Sequence, residues 1–228
     1  MASGEKELFL AFKKELERLA AVLSERGILV ISDDIYEKII YDGLSFCCMA
    51  SLSEELKKNT LVVNGVSKAY AMTGWRIGYA AGPEEIIAAV TKLQSQNTSN
   101  PTSIAQKAAV EALNGSQESV TTMVREFERR RNRIVHELNG IPGVDCLMPQ
   151  GAFYVFPDFS SFYGRSYEGK VIANSSDLSG YLLEKANVAV VPGCEFGLDD
   201  YIRLSYAISL EQIVEGVERI KEAVRKLY

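Results

Sequence analysis

Residues 61–82, LVVNGVSKAYAMTGWRIGYAAG, place two short apolar runs on either side of a polar segment that contains glycine. LVVN (61–64) and RIGYAAG (76–82) have the length and composition of buried strands. A third run of this kind, ILVIS (28–32), follows a segment, 5–26, whose apolar residues recur at helical spacing. This alternation of helix and strand predicts an α/β domain with a mostly parallel sheet.

The rest of the chain has a different order of elements. Helices are predicted at 84–96, 103–114, 118–139, 176–186 and 209–227. Short strands are predicted near 143–148, 151–157, 188–191 and 201–207. Strands grouped after a long helix indicate an α+β subdomain. The segment FYGRSYEGKVIANSS (162–176) is polar and rich in glycine and serine, which is typical of a mobile loop.

Composition excludes several classes of protein. The net charge is −5 without any block of lysine or arginine, so nucleic acid is not an expected partner. No apolar run approaches the roughly 20 residues that span a bilayer, and the N-terminus lacks the features of a secretory signal. Four scattered cysteines and one histidine, His136, form no metal-binding pattern, so we expect no metal site and place His136 on the surface of a helix. Free thiols are typical of a reducing cytoplasm.

Two segments carry side chains that suggest chemistry. In SKAYAMTGWRIGY (67–79), Lys68 and Arg76 lie eight residues apart; a lysine after a strand is ordinarily a solvated surface residue. In SDDIYEKIIYDG (32–43), Asp33 and Tyr36 follow an apolar strand. Ligands of open α/β sheets bind at this end of the strands, although Asp33 could also cap a turn while Tyr36 packs.

A third segment, YIRLSYA (201–207), places Arg203 inside an alternating strand, where an unpaired charge would be costly. A salt bridge at the edge of the strand would also explain this arginine. PQGAFYVFPD (149–158) and VPGCEFG (191–197) lie nearby in the sequence.

These segments, in this order, resemble the class I/II, fold-type I aminotransferases that depend on pyridoxal 5′-phosphate, and among them the aspartate and aromatic aminotransferases. The resemblance covers nearly the whole chain from about residue 28. It implies the C-terminal part of the pyridoxal-phosphate-dependent transferase fold, followed by a small α+β domain. Residues 1–114 would be a partial cofactor-binding large domain, with 1–14 unassigned. Residues 115–228 would be a long connecting helix and the small domain.

The resemblance also implies a role for each candidate residue. Lys68 would hold the cofactor covalently and act as general base, and Asp33 would pair with the pyridine nitrogen. Tyr36 would donate to the phenolic oxygen of the ring. Arg76 would bind the cofactor phosphate and Arg203 the substrate carboxylate, tasks that suit the planar donors of arginine.

One phosphate contact departs from the family pattern. The family often has a serine three residues before the lysine, and this chain has Gly65 there. Ser67 would either contact the phosphate or shape the turn, and the sequence does not distinguish these roles.

Activity and assembly follow as expectations. The resemblance implies amino-group transfer between an L-amino acid and a 2-oxo acid; β-elimination, decarboxylation or a non-catalytic binding module are the alternatives. The family's phosphate loop and ring-stacking aromatic, which precede the Asp33 strand, are not found. A companion chain, a truncation or a self-sufficient reduced form would each account for this. We expect a homodimer or larger oligomer, because QNTSNPTS (96–103) resembles the region that reaches the neighbouring site in that family. The alternative is that 96–103 is a solvated loop between two helices.

Overall fold

In the computed structural model, the backbone is described for residues 3–228 and the side chains from residue 14 onward. The chain divides into two compact units, Met1–Val124 and Arg125–Tyr228, called here the first and second units. Seven α-helices are described: α1 (Ser3–Glu25), α2 (Glu54–Asn59), α3 (Glu84–Asn97), α4 (Ser103–Asn114), α5 (Glu118–Asn139), α6 (Ser175–Ala186) and α7 (Leu210–Val224). Every predicted helix is present within a few residues of its expected bounds. Within the described part of the chain, no helix is both long and apolar enough to cross a membrane.

The sheet of the first unit has three strands, β1 (Val30–Asp33), β2 (Thr60–Gly65) and β3 (Gly78–Ala81), in that order. β1 and β2 are parallel, as the α/β prediction requires, whereas β3 runs antiparallel to β2. The sequence argument did not anticipate the direction of β3. Between β2 and β3 the chain forms only one short 3-10 turn, so it lacks the crossover that a parallel neighbour needs.

Helices cover parts of this sheet through two apolar clusters. One cluster joins Ala20 of α1 with Met49 and Leu56, and Leu16 and Leu23 pack against it. Leu8 and Phe12, two of the apolar residues that recur at helical spacing in 5–26, lie outside the described side chains. The other cluster joins Val66 and Ile77, at the two ends of the β2–β3 connection, with Ala105 and Ala109 of α4.

The second unit contains another three-stranded sheet, with β4 (Tyr154–Val155) and β7 (Val191–Pro192) on either side of β8 (Ile202–Ser205). Both pairings are antiparallel. Ile202 and Leu204 are buried. The Tyr181 hydroxyl of α6 donates to the carbonyl of Ala223 in α7 at 2.8 Å, which joins these two helices.

The predicted strand near 143–148 is wrong. The only pairing described there is an isolated bridge between Asp145 and Asp158. The Asn139 side chain, at the end of α5, accepts from Cys146 N at 2.8 Å and donates to Cys146 O at 3.0 Å. Both backbone groups of Cys146 are therefore used by a side chain instead of a strand ladder.

The predicted loop 162–176 is also wrong, because this segment contains a β-hairpin. β5 (Ser166–Tyr167) pairs with β6 (Lys170–Val171), and the two turn residues, Glu168 and Gly169, have φ of 50° and 80°. Two consecutive residues with positive φ form the turn whose twist suits a two-residue hairpin. The polar composition reflects this turn and the exposure of β6.

Candidate functional site

Three candidate residues of the first unit lie at one edge of its sheet. Asp33 is the last residue of β1, and Lys68 follows the last residue of β2, Gly65, by three positions. Gly65 pairs with Gly78, the first residue of β3, and Arg76 precedes Gly78 by two positions. The connection that carries Lys68 and Arg76 therefore starts and ends beside the carboxyl end of β1, where ligands of open α/β sheets bind.

Asp33 and Asp34 have different surroundings. Asp33 is exposed, and its Oδ1 accepts from Ile35 N at 3.3 Å. Asp34 is only 6% exposed and accepts from the Ser32 hydroxyl at 2.7 Å. Burial, together with the hydrogen bond to Asp34, raises the pKa of the Cys48 thiol. Asp34 is thus used within the protein, whereas the Asp33 carboxylate faces outward. Tyr36 lies half-buried in the turn after β1.

The connection between β2 and β3 is folded tightly onto itself. A Cβ at Gly65 would approach the carbonyl oxygen of Ile77 to 2.9 Å, so a serine here would meet backbone. This gives a physical reason for glycine where the family often has serine. The Thr73 hydroxyl donates to Ser67 O at 3.1 Å, and Arg76 Nη1 donates to Thr73 O at 3.0 Å. These bonds hold Ser67 and Arg76 in one turn. Lys68, which follows Ser67 in the sequence, is half-buried.

An open cavity of about 1270 Å³ adjoins this turn. Asn64, Arg76 and Tyr79 line one side of it, and the segment between α3 and α4 lines another. Lys68, Asp33 and Tyr36 do not line it. Trp75 also lines the cavity and is 47% exposed. The volume beside Arg76 is therefore adjacent to the candidate site and does not define it.

The side chains at this edge fit pyridoxal 5′-phosphate. An outward carboxylate, Asp33, suits a protonated ring nitrogen, and an amine, Lys68, suits an aldehyde. The Arg76 guanidinium and the Ser67 hydroxyl suit a phosphate. No group of three His, Cys, Asp or Glu side chains among the described residues is arranged to hold a metal ion. His136 is exposed on α5, as expected.

Arg203 lies in the second unit, in the central strand β8. Its neighbours in the strand, Ile202 and Leu204, are buried, so the alternation of the strand places Arg203 on the opposite face. Its guanidinium carbon lies 4.6 Å from the ring centroid of Tyr154 and 4.5 Å from that of Phe196. No ion-pair partner is found for Arg203 among the described residues. The salt bridge that the sequence left open as an explanation is absent there.

The sequence argument did not single out Tyr154 and Phe196, although both belong to quoted segments. Each segment carries an aromatic residue beside glycine or within a strand, and this was the available signal. It did not identify the contact, because which ring meets Arg203 depends on the register of β4 against β8 and on the shape of the turn after β7.

Comparisons with known proteins identify the family of the chain. The sequence model of the family described as aminotransferase class I and II matches residues 10–220. A probable aspartate/prephenate aminotransferase of Aquifex aeolicus is 49% identical over 217 residues, which cover 94% of this chain and 54% of that protein. An aspartate aminotransferase of Bacillus sp. is 48% identical, with 93% of this chain and 53% of that protein covered. The chain thus spans about half the length of the curated relatives it matches.

Solved structures show the same likeness. The crystal structure of the aspartate aminotransferase from Rhizobium meliloti superposes with a TM-score of 0.87 at 49% identity, covering 92% of this chain and 53% of that one. The aromatic aminotransferase from Pyrococcus horikoshii gives a TM-score of 0.85 at 38% identity, covering 94% and 56%. At these identities the likeness extends beyond the fold to the sequence. The chain belongs to the class I and II aminotransferases, a family whose members use pyridoxal 5′-phosphate.

Proposed function

We propose that this chain binds pyridoxal 5′-phosphate and serves amino-group transfer between an L-amino acid and a 2-oxo acid, as in aspartate aminotransferases. The observation that carries the proposal is the common edge of the first sheet, where β1 ends at Asp33 and the β2–β3 connection presents Lys68 and Arg76. When bound, the cofactor supplies an aldehyde that reacts with amines and a ring that withdraws electrons.

Lys68 is proposed to hold the cofactor through its amine and, once released by the substrate amine, to move a proton at the substrate α-carbon. Asp33 is proposed to face the pyridine nitrogen and keep it protonated, since a carboxylate stabilises the adjacent positive charge. The exposed position of Asp33, in contrast to the buried and engaged Asp34, supports this assignment. Tyr36 is proposed to donate to the phenolic oxygen of the ring.

Arg76 is proposed to bind the phosphate. Its backbone is in the left-handed conformation, with φ of 54°, and one guanidinium nitrogen is bonded to Thr73 O. Ser67 is proposed as a second phosphate contact; its carbonyl already accepts from Thr73, so it also shapes the turn. Arg203 is proposed to bind the substrate carboxylate, which suits a guanidinium that has no ion-pair partner among the described residues.

The substrate class rests on the relatives. Proteins that are 47–50% identical to the chain are named aspartate or probable aspartate/prephenate aminotransferases, and these names do not favour elimination or decarboxylation. We propose aspartate among the amino acids accepted. Residues 1–114 and 115–228 are proposed to be a partial cofactor-binding domain and a connecting helix with a small domain. We also propose a homodimer, and a cytoplasmic location in keeping with four free cysteines.

The test is covalent trapping on the 228-residue chain. Purified protein is mixed with pyridoxal 5′-phosphate, its visible absorption is recorded, and borohydride reduction is followed by peptide mapping. We expect the label on Lys68, and we expect Lys68→Ala to lose both label and absorption. Lys38→Ala removes an exposed lysine from the segment after β1 and should change neither.

Exchange of the α-proton of L-aspartate in heavy water then separates cofactor binding from catalysis. A labelled Lys68 with exchange supports the enzyme, and a labelled Lys68 without exchange supports a binding module. Labelling at another lysine, or none at saturating cofactor, would contradict the proposal.

A further inference from the structure

The aromatic rings on either side of Arg203 come from two different segments of the second unit. Tyr154 belongs to β4, where it pairs with Ser205 of β8. Because side chains of a strand alternate, Ser205 and Arg203 share one face, and the Tyr154 ring reaches Arg203 diagonally across the sheet. Phe196 ends the 3-10 turn Gly193–Phe196 that follows β7.

The turn that carries Phe196 is fixed by its glycines. A Cβ at Gly193 would overlap the carbonyl oxygens of Leu198 and Tyr201, so the backbone is closed as only glycine permits. Gly193 N donates to Tyr201 O at 2.8 Å, and Leu198 N donates to Gly193 O at 3.1 Å. Gly197 ends the turn with φ of 78°. The position of Phe196 is therefore set by backbone, although its side chain remains 46% exposed.

Further aromatic contacts support the Phe196 ring. Phe156 meets it edge-on at a centroid distance of 5.8 Å and stacks on Tyr201 at 5.0 Å. Glu195 is the acidic residue of this turn, and no ion pair joins it to Arg203 among the described residues. Asp199, which follows the turn, accepts from the Ser175 hydroxyl at 2.5 Å. The described contacts of the Arg203 guanidinium are thus with the faces of aromatic rings. Such contacts do not use the N–H donors in the guanidinium plane, which can therefore still bind a carboxylate.

We infer that Tyr154 and Phe196 are positioning residues, which hold the plane of the Arg203 guanidinium so that its donors meet a substrate carboxylate in one orientation. The inference rests on the proposed role of Arg203. Stacking restricts the rotation of a long side chain before binding, so less freedom is lost when the carboxylate arrives. A structural role alone would require the rings for folding but not for carboxylate affinity.

The experiment uses the 228-residue chain labelled with ¹⁵N-arginine, with the Arg203 Nε–Hε resonance assigned from its loss in Arg203→Lys. In the wild-type chain this resonance should show a ring-current shift and respond saturably to maleate, a dicarboxylate probe. Phe196→Leu should reduce the shift and raise the half-saturating maleate concentration about three- to tenfold, the cost of ordering one long side chain on binding. Phe196→Tyr, which keeps a ring, should restore both values.

Tyr167→Leu is the matched control. The Tyr167 ring, on the β5–β6 hairpin, also has a cation over it, but this cation is the amine of Lys185 in α6, at 5.1 Å from the ring centroid. This variant should leave the Arg203 resonance and the maleate response unchanged. Tyr154→Leu repeats the comparison if Phe196→Leu fails to give a folded spectrum.

Equal maleate response in wild type and in the leucine variants would overturn the positioning role and leave the proposed function standing. A wild-type Arg203 that shows the ring-current shift but ignores maleate would overturn its proposed substrate role and the positioning role together. An absent ring-current shift would overturn the stacking itself.

Discussion

Asp33 and Asp34, at the end of β1, have different partners. This difference separates a side chain available for binding from one with a structural role. Asp34 accepts from the Ser32 hydroxyl and from the Cys48 thiol, while the described contact of Asp33 is local, to Ile35 N. The family resemblance assigned the cofactor contact to Asp33. The structure adds that Asp34 is needed by its neighbours, a fact that depends on Cys48, fourteen residues away.

Alanine substitutions should therefore affect different properties. Asp34→Ala should lower the free energy of unfolding by about 1–3 kcal/mol, because the half-buried Ser32 hydroxyl and Cys48 thiol lose the acceptor that the buried Asp34 carboxylate provides. Asp33→Ala should change it by less than about 0.5 kcal/mol, as expected for an exposed side chain, yet should abolish α-proton exchange. Urea unfolding followed by circular dichroism, with the exchange assay, checks both; the opposite ranking in stability would contradict the assignment.

Cys146 gives the second unit a dependence on alkaline pH. Burial is the main cause that raises the pKa of its thiol from 9.0 to about 12, with a smaller contribution from Asp145. Between these values the folded protein keeps a proton that the unfolded chain has lost, so stability falls as pH rises.

At pH about 10.5 this group alone should reduce the free energy of unfolding by about 2 kcal/mol relative to pH 7. Cys146→Ala removes the titrating thiol and should flatten the alkaline part of the curve. The free energy of unfolding is measured at both pH values for the wild type and for Cys146→Ala. Comparing the change between the two pH values within each protein separates the effect of titration from the packing lost in the variant. Parallel curves for the two proteins would contradict this origin.

At the scale of elements, prediction succeeded where local signals decide the structure. Long periodic segments such as 118–139 became helices, and the apolar runs 28–32 and 61–64 became the adjacent parallel strands β1 and β2. It failed where distant groups decide. The 143–148 strand is replaced by hydrogen bonds from Asn139, and the direction of β3 depends on how the chain folds between Gly65 and Gly78. The contact of Phe196 with Arg203 required the same kind of non-local information.

The hairpin turn that was mistaken for a loop offers a test with glycine. Gly169 has φ of 80° and open space around it, so Gly169→Ala introduces conformational strain without a clash. It should cost about 1–2 kcal/mol. Gly180→Ala also meets open space but lies inside α6, and it should stabilise by about 0.5–1 kcal/mol. Thermal unfolding of both variants checks the pair, and shifts of the same sign would contradict the assigned turn.

At the scale of the whole molecule, the first unit presents large apolar side chains to solvent. Ile31 of β1, Leu93 of α3 and Ile104 of α4 are 73%, 64% and 75% exposed. Apolar surface of this kind favours association. The chain also matches only about half the length of its relatives. The other half of each relative therefore has no counterpart in this chain that could cover these side chains.

We therefore expect a homodimer or larger assembly at micromolar concentration, measured by light scattering behind a sizing column. Ile104→Ser should lower the average mass by weakening apolar contact. Leu183→Ser removes a single exposed leucine, 55% exposed, from α6 of the second unit and should leave the mass unchanged. A monomer in the unmodified chain would contradict the expectation.

The hydrogen bonds of Asn139 also bear on how the protein ages chemically. An asparagine before glycine is prone to lose its side-chain amide, because the following backbone nitrogen can attack the side-chain carbonyl and close a five-membered ring. Here that carbonyl and its amide are bonded to Cys146, and Gly140 N donates to His136 O and Glu137 O, each at 3.2 Å. Both reacting groups are therefore held in other contacts. The hydrogen bonds between Asn139 and Cys146, which take the place of the expected strand, thus also protect Asn139 from deamidation for as long as the second unit stays folded.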